Sequence, residues 1–422
     1  MKSSTHDEQV ESDRAAKLPP HQTADGRRAA ISALILLAAA VVLAIVRPRV
    51  AGTIGVLAAI ILMIMLHELG HFVMAKRAGM KVTEFFLGFG PRLWSIRRGE
   101  TEYGVKAIPA GGYVRIIGMS SADEVDPADE ERTYRAKPYR HRLGVAVAGS
   151  TMHFLIAAFL LFLVYAAVGV PTRPAVIAQI VADSPAQHSD FRLGDRIVAV
   201  NGHEVKDWDE IPAYVESHGE SELVFTVVRK DTGERADIAV RPKKVVDQGR
   251  EMPRVGIGPE PKIVYETKPI PSAIGTTITE MPKWMWNTVK ALGGIFSPNG
   301  IENYSNLLQG KKDANQNNRL MSPVGVARVA GEAVASGWSY VLMLLFAINI
   351  FVGIFNMVPL LPLDGGHVAI ATYEKIASTI KGRRVMVDVQ RLMPITAAVL
   401  AVLVILGLSA LYLDIVHPVS GN

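Results

Sequence analysis

Residues 63–75 read MIMLHELGHFVMA, two histidines and a glutamate set in a run otherwise apolar enough to cross a membrane. A run of about twenty apolar residues satisfies its backbone in lipid as an α-helix. An ionisable side chain there costs on the order of a few kcal/mol, so a cluster of three marks a functional site enclosed by other helices. On a helix His67 and His71, four residues apart, project from one face, and Glu68 lies one step round. Imidazoles at that spacing reach one metal ion, and the carboxylate faces a water bound to it. Zinc in a hydrolytic site keeps three protein ligands and one open position, which lowers the pKa of its water to about 7. His67 and His71 are therefore candidate ligands for Zn2+ and Glu68 the candidate base, with one ligand still to be found.

Hydrophobic residues make up 49% of the 422, and they gather into long runs, as in an integral membrane protein. With no cysteine, neither disulfides nor thiolate ligands are available, which leaves histidine and carboxylate to bind metal. The formal net charge is +5, but the basic residues flank the apolar runs, where they orient a chain in the membrane. The partner this implies is a lipid bilayer and no nucleic acid.

Taken in order, residues 1–28 are polar and poor in apolar side chains, and are expected to be disordered. Residues 29–46 form an uncharged run read as a retained anchor, with cleavage near 50–52 as the alternative. The span at 53–75 carries the histidines and stops at Lys76 and Arg77. Residues 76–142, dense in Lys and Arg, mark the cytoplasmic side and place the amino terminus there too. Within them 101–119 reads as two short strands broken by Pro109, Gly111 and Gly112, a membrane-associated hairpin or an ordinary surface one. Another span follows at 143–169, carrying His153. Residues 172–244 alternate like a small α+β domain, expected on the extracytoplasmic side. The segment 261–336 contains PKWMWNTVKALGGIF, suited to an amphipathic helix at the interface, and Glu302–Asn318 reads as a mobile loop. Spans at 337–358 and 395–413 complete a bundle of about five.

The missing acid sits after the fourth span, where Asn356, Pro359 and Pro362 lead to LDGGH at 363–367. A proline-broken helix end can face a cavity, and Asp364 is an acceptable zinc ligand on the same side as the histidines. His153 is the rival, although a lone histidine in a bundle more often bonds a neighbouring helix.

HELGH at 67–71, GFGP at 88–91, the hairpin 104–118, SPAQHSDFRLGDRIVAVNG at 184–202, SPVGVARVAG at 322–331 and NMVPLLPLDGGH at 356–367 together resemble the site-2 protease family of intramembrane zinc metalloproteases, in its bacterial PDZ-bearing branch. The resemblance implies a polytopic α-helical membrane protein in the bacterial inner membrane. Its zinc site would lie within the bundle and its one PDZ-like α+β domain outside the cytoplasm. It implies zinc on His67, His71 and Asp364, Glu68 as general base, and substrate alignment by Asn356 and by Gly111, Gly112, Tyr113 and Val114 of the hairpin. The implied partners are single-span membrane proteins already trimmed outside the membrane, such as anti-sigma factors, whose stem would meet the PDZ-like domain. Two departures stand out. Ala148, Gly149, Ser150 and His153 occupy a stretch where the family commonly has Ala-Gly-Pro and then asparagine, and Asp190 and Phe191 replace the usual glycine and aliphatic residue of the PDZ segment.

Two other function classes remain. A membrane scaffold with a structural zinc would need a fourth protein ligand, His153 or His367, at bonding distance. A metal transporter would need a polar path through several spans, and 29–46 and 395–413 hold no acid or histidine pair to build one.

Overall fold

In the computed structural model the described residues are Val42, 45–119, 125–247, 250–311 and 319–418. The expected tail at 1–28 and nearly all of the expected span at 29–46 lie outside them. The chain divides into two units, Met1–Gly55 and Val56–Asn422. Of the first, the described residues are helical except Arg47. The architecture below is that of the second.

Among the described residues four helices are long and apolar enough to cross a membrane. They are α1 (Pro48–Arg77), α2 (Tyr139–Leu163, continued by a wider turn to Val168), the later helix Trp338–Phe355, and a last one within Val389–Val416. Between α1 and α2 run two long strands, β1 (Val82–Arg98) and β2 (Thr101–Ile116).

The two strands differ from the expected hairpin. The runs on either side of Pro109 do not pair with each other; both pair with β1, so that Phe85 faces Tyr103 and Val114, and Phe86 faces Gly104 and Tyr113. Alternation marks a strand but not its partner, and the aromatic residues of β1 supply the better face. Phe86 is buried against Tyr113, the rings stacked 5.9 Å apart. Residues 112–116 pair only along this one side; among the described residues no strand covers the other edge.

After α2, β3 (Val170–Thr172) pairs with β12 (Val264–Glu266), so the segment between leaves and returns on one two-stranded stalk. That segment holds β4 (Ile177–Ile180), β5 (Arg196–Val200), β6 (His203–Glu204), α3 (Glu210–His218), β7 (Leu223–Val228), β8 (Arg235–Val240), β9 (Lys243–Asp247), β10 (Arg250–Arg254) and β11 (Ile257–Pro259). Its main sheet runs β6-β5-β7-β8, with β4 paired to β11. Alternate residues Leu223, Phe225 and Val227 point into a core shared with Ile197, Trp208 and Ile211. The Asp190–Phe191 departure is accommodated: Phe191 packs edge-on against Phe225 in that core, and Asp190 pairs with Arg229.

The expected interfacial helix is α4 (Ile270–Ile295), and it lies along the bundle. Lys268, just before it, bonds Tyr165 at the end of α2; Trp284 stacks edge-on against Phe346 at 5.5 Å. Ala273, Thr277 and Leu292 are its buried stripe, with Met281 and Met285 packed on the bundle core. The expected loop from Glu302 begins instead as α5 (Pro298–Leu308), and 312–318 lie outside the described residues. Then come α6 (Pro323–Ser336), α7 (Trp338–Phe355), α8 (Asp364–Lys381) and α9 (Met393–Val416). Asp414 of α9 receives Arg319 at 2.8 Å and the Ser322 amide at 2.7 Å, tying that helix to the start of α6. The bundle core gathers Met63 of α1, Ala157 and Leu161 of α2, Ala330 of α6, and Phe346 and Ile350 of α7.

Candidate metal centre

His67 and His71 project from one face of α1 with their Nε2 atoms 3.2 Å apart, and both rings are buried. Asp364 is the first residue of α8. It is brought there by a tight fold-back of the preceding loop, in which the Gly365 amide donates to the Asn356 carbonyl at 2.7 Å. A side chain at Gly365 would stand 2.3 Å from the Met357 oxygen, so only glycine allows this approach. Asp364 Oδ2 thus lies 3.4 Å from His67 Nε2 and 3.3 Å from His71 Nε2.

The three donor atoms form a nearly equilateral triangle. Ligands about 2.0–2.1 Å from a tetrahedral ion stand about 3.3–3.4 Å apart, so the triangle is one face of such a site. The chemistry fits as well. His71 Nδ1 lies 2.7 Å from the Val145 carbonyl, which only accepts, so the proton sits on Nδ1 and Nε2 turns a lone pair to the centre. Asp364 Oδ2 is buried with no hydrogen-bond donor. Acceptors converging in a buried space call for a cation.

His67, His71 and Asp364 form the one such group among the described residues. His153 stands outside it. Its ring lies 5.0 Å from that of His67, and its Nδ1 is 2.8 Å from Asn349 Oδ1. Asn349 is fully buried, and its amide nitrogen donates to the Leu345 carbonyl and Met63 Sδ at 2.7 and 2.8 Å, which turns its oxygen to His153. His367 packs near Tyr134, ring to ring at 6.1 Å, and is not in the group either. Burial pushes the Tyr134 hydroxyl up to about 12, so this neighbour stays neutral. Among the described residues no fourth protein donor closes the site, as a structural zinc requires.

Glu68 sits where α1 meets the free edge of β2. A side chain at Gly112 would stand 3.2 Å from Glu68 Cγ and 2.8 Å from Met65 Sδ, so the β2 backbone passes directly over the carboxylate side of the helix. Of the other residues expected to meet substrate, Gly111 and Val114 flank this crossing. Tyr113 is committed to the sheet, its hydroxyl shared between Lys106 and Glu84. Asn356 caps α7 eight residues before Asp364. Asn349 escaped the sequence reading, although it is the one amide inside an otherwise apolar helix.

A hydrolytic donor set inside a bundle of apolar helices defines a membrane metallopeptidase. The model of peptidase family M50 matches residues 55–403, and the chain belongs to that family. It is similar to the zinc metalloprotease Rip1 of Mycolicibacterium smegmatis, with 32% identity covering 86% of this chain and 96% of the relative. Rip1 of Mycobacterium tuberculosis is 31% identical, covering 88% and 98%. A putative zinc metalloprotease of Clostridium acetobutylicum is 29% identical, covering 85% and 95%. The protein is a zinc metallopeptidase of the site-2 protease type.

Proposed function

We propose that the protein hydrolyses peptide bonds within or beside the transmembrane segment of single-span membrane proteins already trimmed outside the membrane, anti-sigma factors among them. The observation that carries this reading is the donor triangle of His67, His71 and Asp364 beside Glu68, set among apolar helices. These three residues hold the zinc, and Glu68 is the general base. The bound ion supplies Lewis acidity and a lowered pKa for water. Val145 holds the His71 ring in its ligating tautomer. Glu68 takes a proton from the attacking water and returns it to the leaving amine.

A peptide bond in a helix has its carbonyl engaged by the helix, so the substrate must unwind to be cut. The free edge of β2 at 111–114 is where an unwound segment can add as a strand, its backbone within reach of Glu68. The Asn356 side chain steadies the same segment. Basic residues at 76–142 and at Lys375, Lys381, Arg383 and Arg384 support an orientation with this end of the bundle in the cytoplasm and the stalked domain outside.

The stalked domain is PDZ-like in this reading. A groove of ≈ 630 Å³ between Ile211 and Val215 of α3 and the 181–185 loop receives the stem of a trimmed substrate, while the bulk of the domain excludes intact ectodomains. Deleting residues 173–263, the segment between the two stalk strands, then admits untrimmed substrates and leaves trimmed ones cut at a similar rate. Loss of cleavage of trimmed substrate by a folded, zinc-loaded deletion would make the domain a delivery device instead.

The test of the catalytic reading is Glu68→Gln. The purified variant retains zinc and loses cleavage, because an amide accepts no proton while both imidazoles remain. Cleavage near the wild-type rate would remove Glu68 as the base.

A further inference from the structure

Gly149 lies in the middle of α2, where its helical backbone conformation does not itself require glycine. Glycine there is a poor choice for the helix, since alanine is favoured in helix interiors. The reason for it is spatial. A Cβ on Gly149 would stand 2.4 Å from His71 Nε2, 2.4 Å from His67 Cε1 and 2.6 Å from His67 Nε2, and these imidazole atoms are its three nearest neighbours. Real Cβ contacts are not that short, and the bodies to be displaced are buried rings. One is held by its Val145 bond and the other rests against His153.

We propose that Gly149 is a positioning residue of the metal centre: its missing side chain is the room that lets both imidazoles face α2 and share an ion. This rests on His67 and His71 being ligands. Any side chain at 149 either fills the space beside both Nε2 atoms or swings the rings off the triangle they form with Asp364, and both outcomes cost the ion. The α2 backbone is in this sense one wall of the site. Gly144, one turn and a half earlier on the same helix, has no such duty: a Cβ there would meet Met74 Cε alone, at 3.2 Å.

The experiment compares Gly149→Ala with Gly144→Ala in the purified full chain, reading zinc stoichiometry and the rise in Tm on adding zinc. Wild type and Gly144→Ala bind one zinc and show the rise; Gly149→Ala loses both. A second arm separates the ion from the fold. In a His67→Ala/His71→Ala background, which has no rings to strike, Gly149→Ala leaves Tm unchanged or raises it. Wild-type zinc binding by Gly149→Ala overturns the proposal. So does a fall in Tm in the double-alanine background, which would make the glycine a helix-packing device. Absence of zinc from the wild-type protein itself would overturn the ligand assignment instead.

Discussion

At the scale of single residues the centre is made by three acceptors that repel one another unless a cation joins them. Asp364→Ala is therefore expected to weaken zinc binding by more than about 100-fold, since loss of an outer-shell partner alone costs about 10–100-fold. His153→Ala should change it by less than about 10-fold, because His153 bonds Asn349 and stands outside the triangle. Chelator competition on the two purified variants checks this, and the reverse order would move the third ligand to His153. Much of the site was legible in the sequence because helical periodicity alone puts His67, Glu68 and His71 on neighbouring faces. Asp364 was legible for another reason: prolines end the preceding helix and leave an acid where backbone is free to turn. Gly149 was not. A glycine in an apolar helix looks the same whether it faces a neighbouring helix, lipid or an imidazole pair, and only the crossing of α1 and α2 distinguishes them.

At the scale of elements the sequence marked where strands and helices begin more readily than what they touch. The two runs around Pro109 were recognisable as strands, but their common partner, β1, lies across the turn at Arg98–Thr101, and pairing register depends on long-range packing. The helix α4 was recognisable as amphipathic. Its path along α7, marked by Trp284 against Phe346, depends on a packing partner that periodicity does not reveal. The β2 edge has a direct test in Val114→Pro, which deletes the backbone N–H of this edge that donates to the Glu68 carboxylate. Cleavage of every substrate should slow by about tenfold or more, the worth of one buried hydrogen bond, with zinc content unchanged. Selective slowing of one substrate, or none, would show that the edge does not receive the peptide.

At the scale of the molecule, apolar helices α1, α2 and α7 surround a charged centre that no lipid-facing surface would tolerate, and the arrangement is consistent only if water and peptide reach the centre through protein. The end of α4, residues 355–363 and α9 bound an apolar cavity of ≈ 570 Å³ that reaches Leu363, the neighbour of Asp364. Chemistry at that depth requires the cut to fall within the substrate's membrane segment. Its most direct measurement is the position of the cut: a trimmed single-span reporter is reconstituted with the protein in liposomes, and the products are sized by mass spectrometry, with Glu68→Gln and a chelator-treated sample as controls. Zinc-dependent scission is expected within or at the edge of the reporter's apolar segment, absent from both controls. Cleavage confined to the reporter's soluble flanks, or scission that survives in Glu68→Gln, would contradict it.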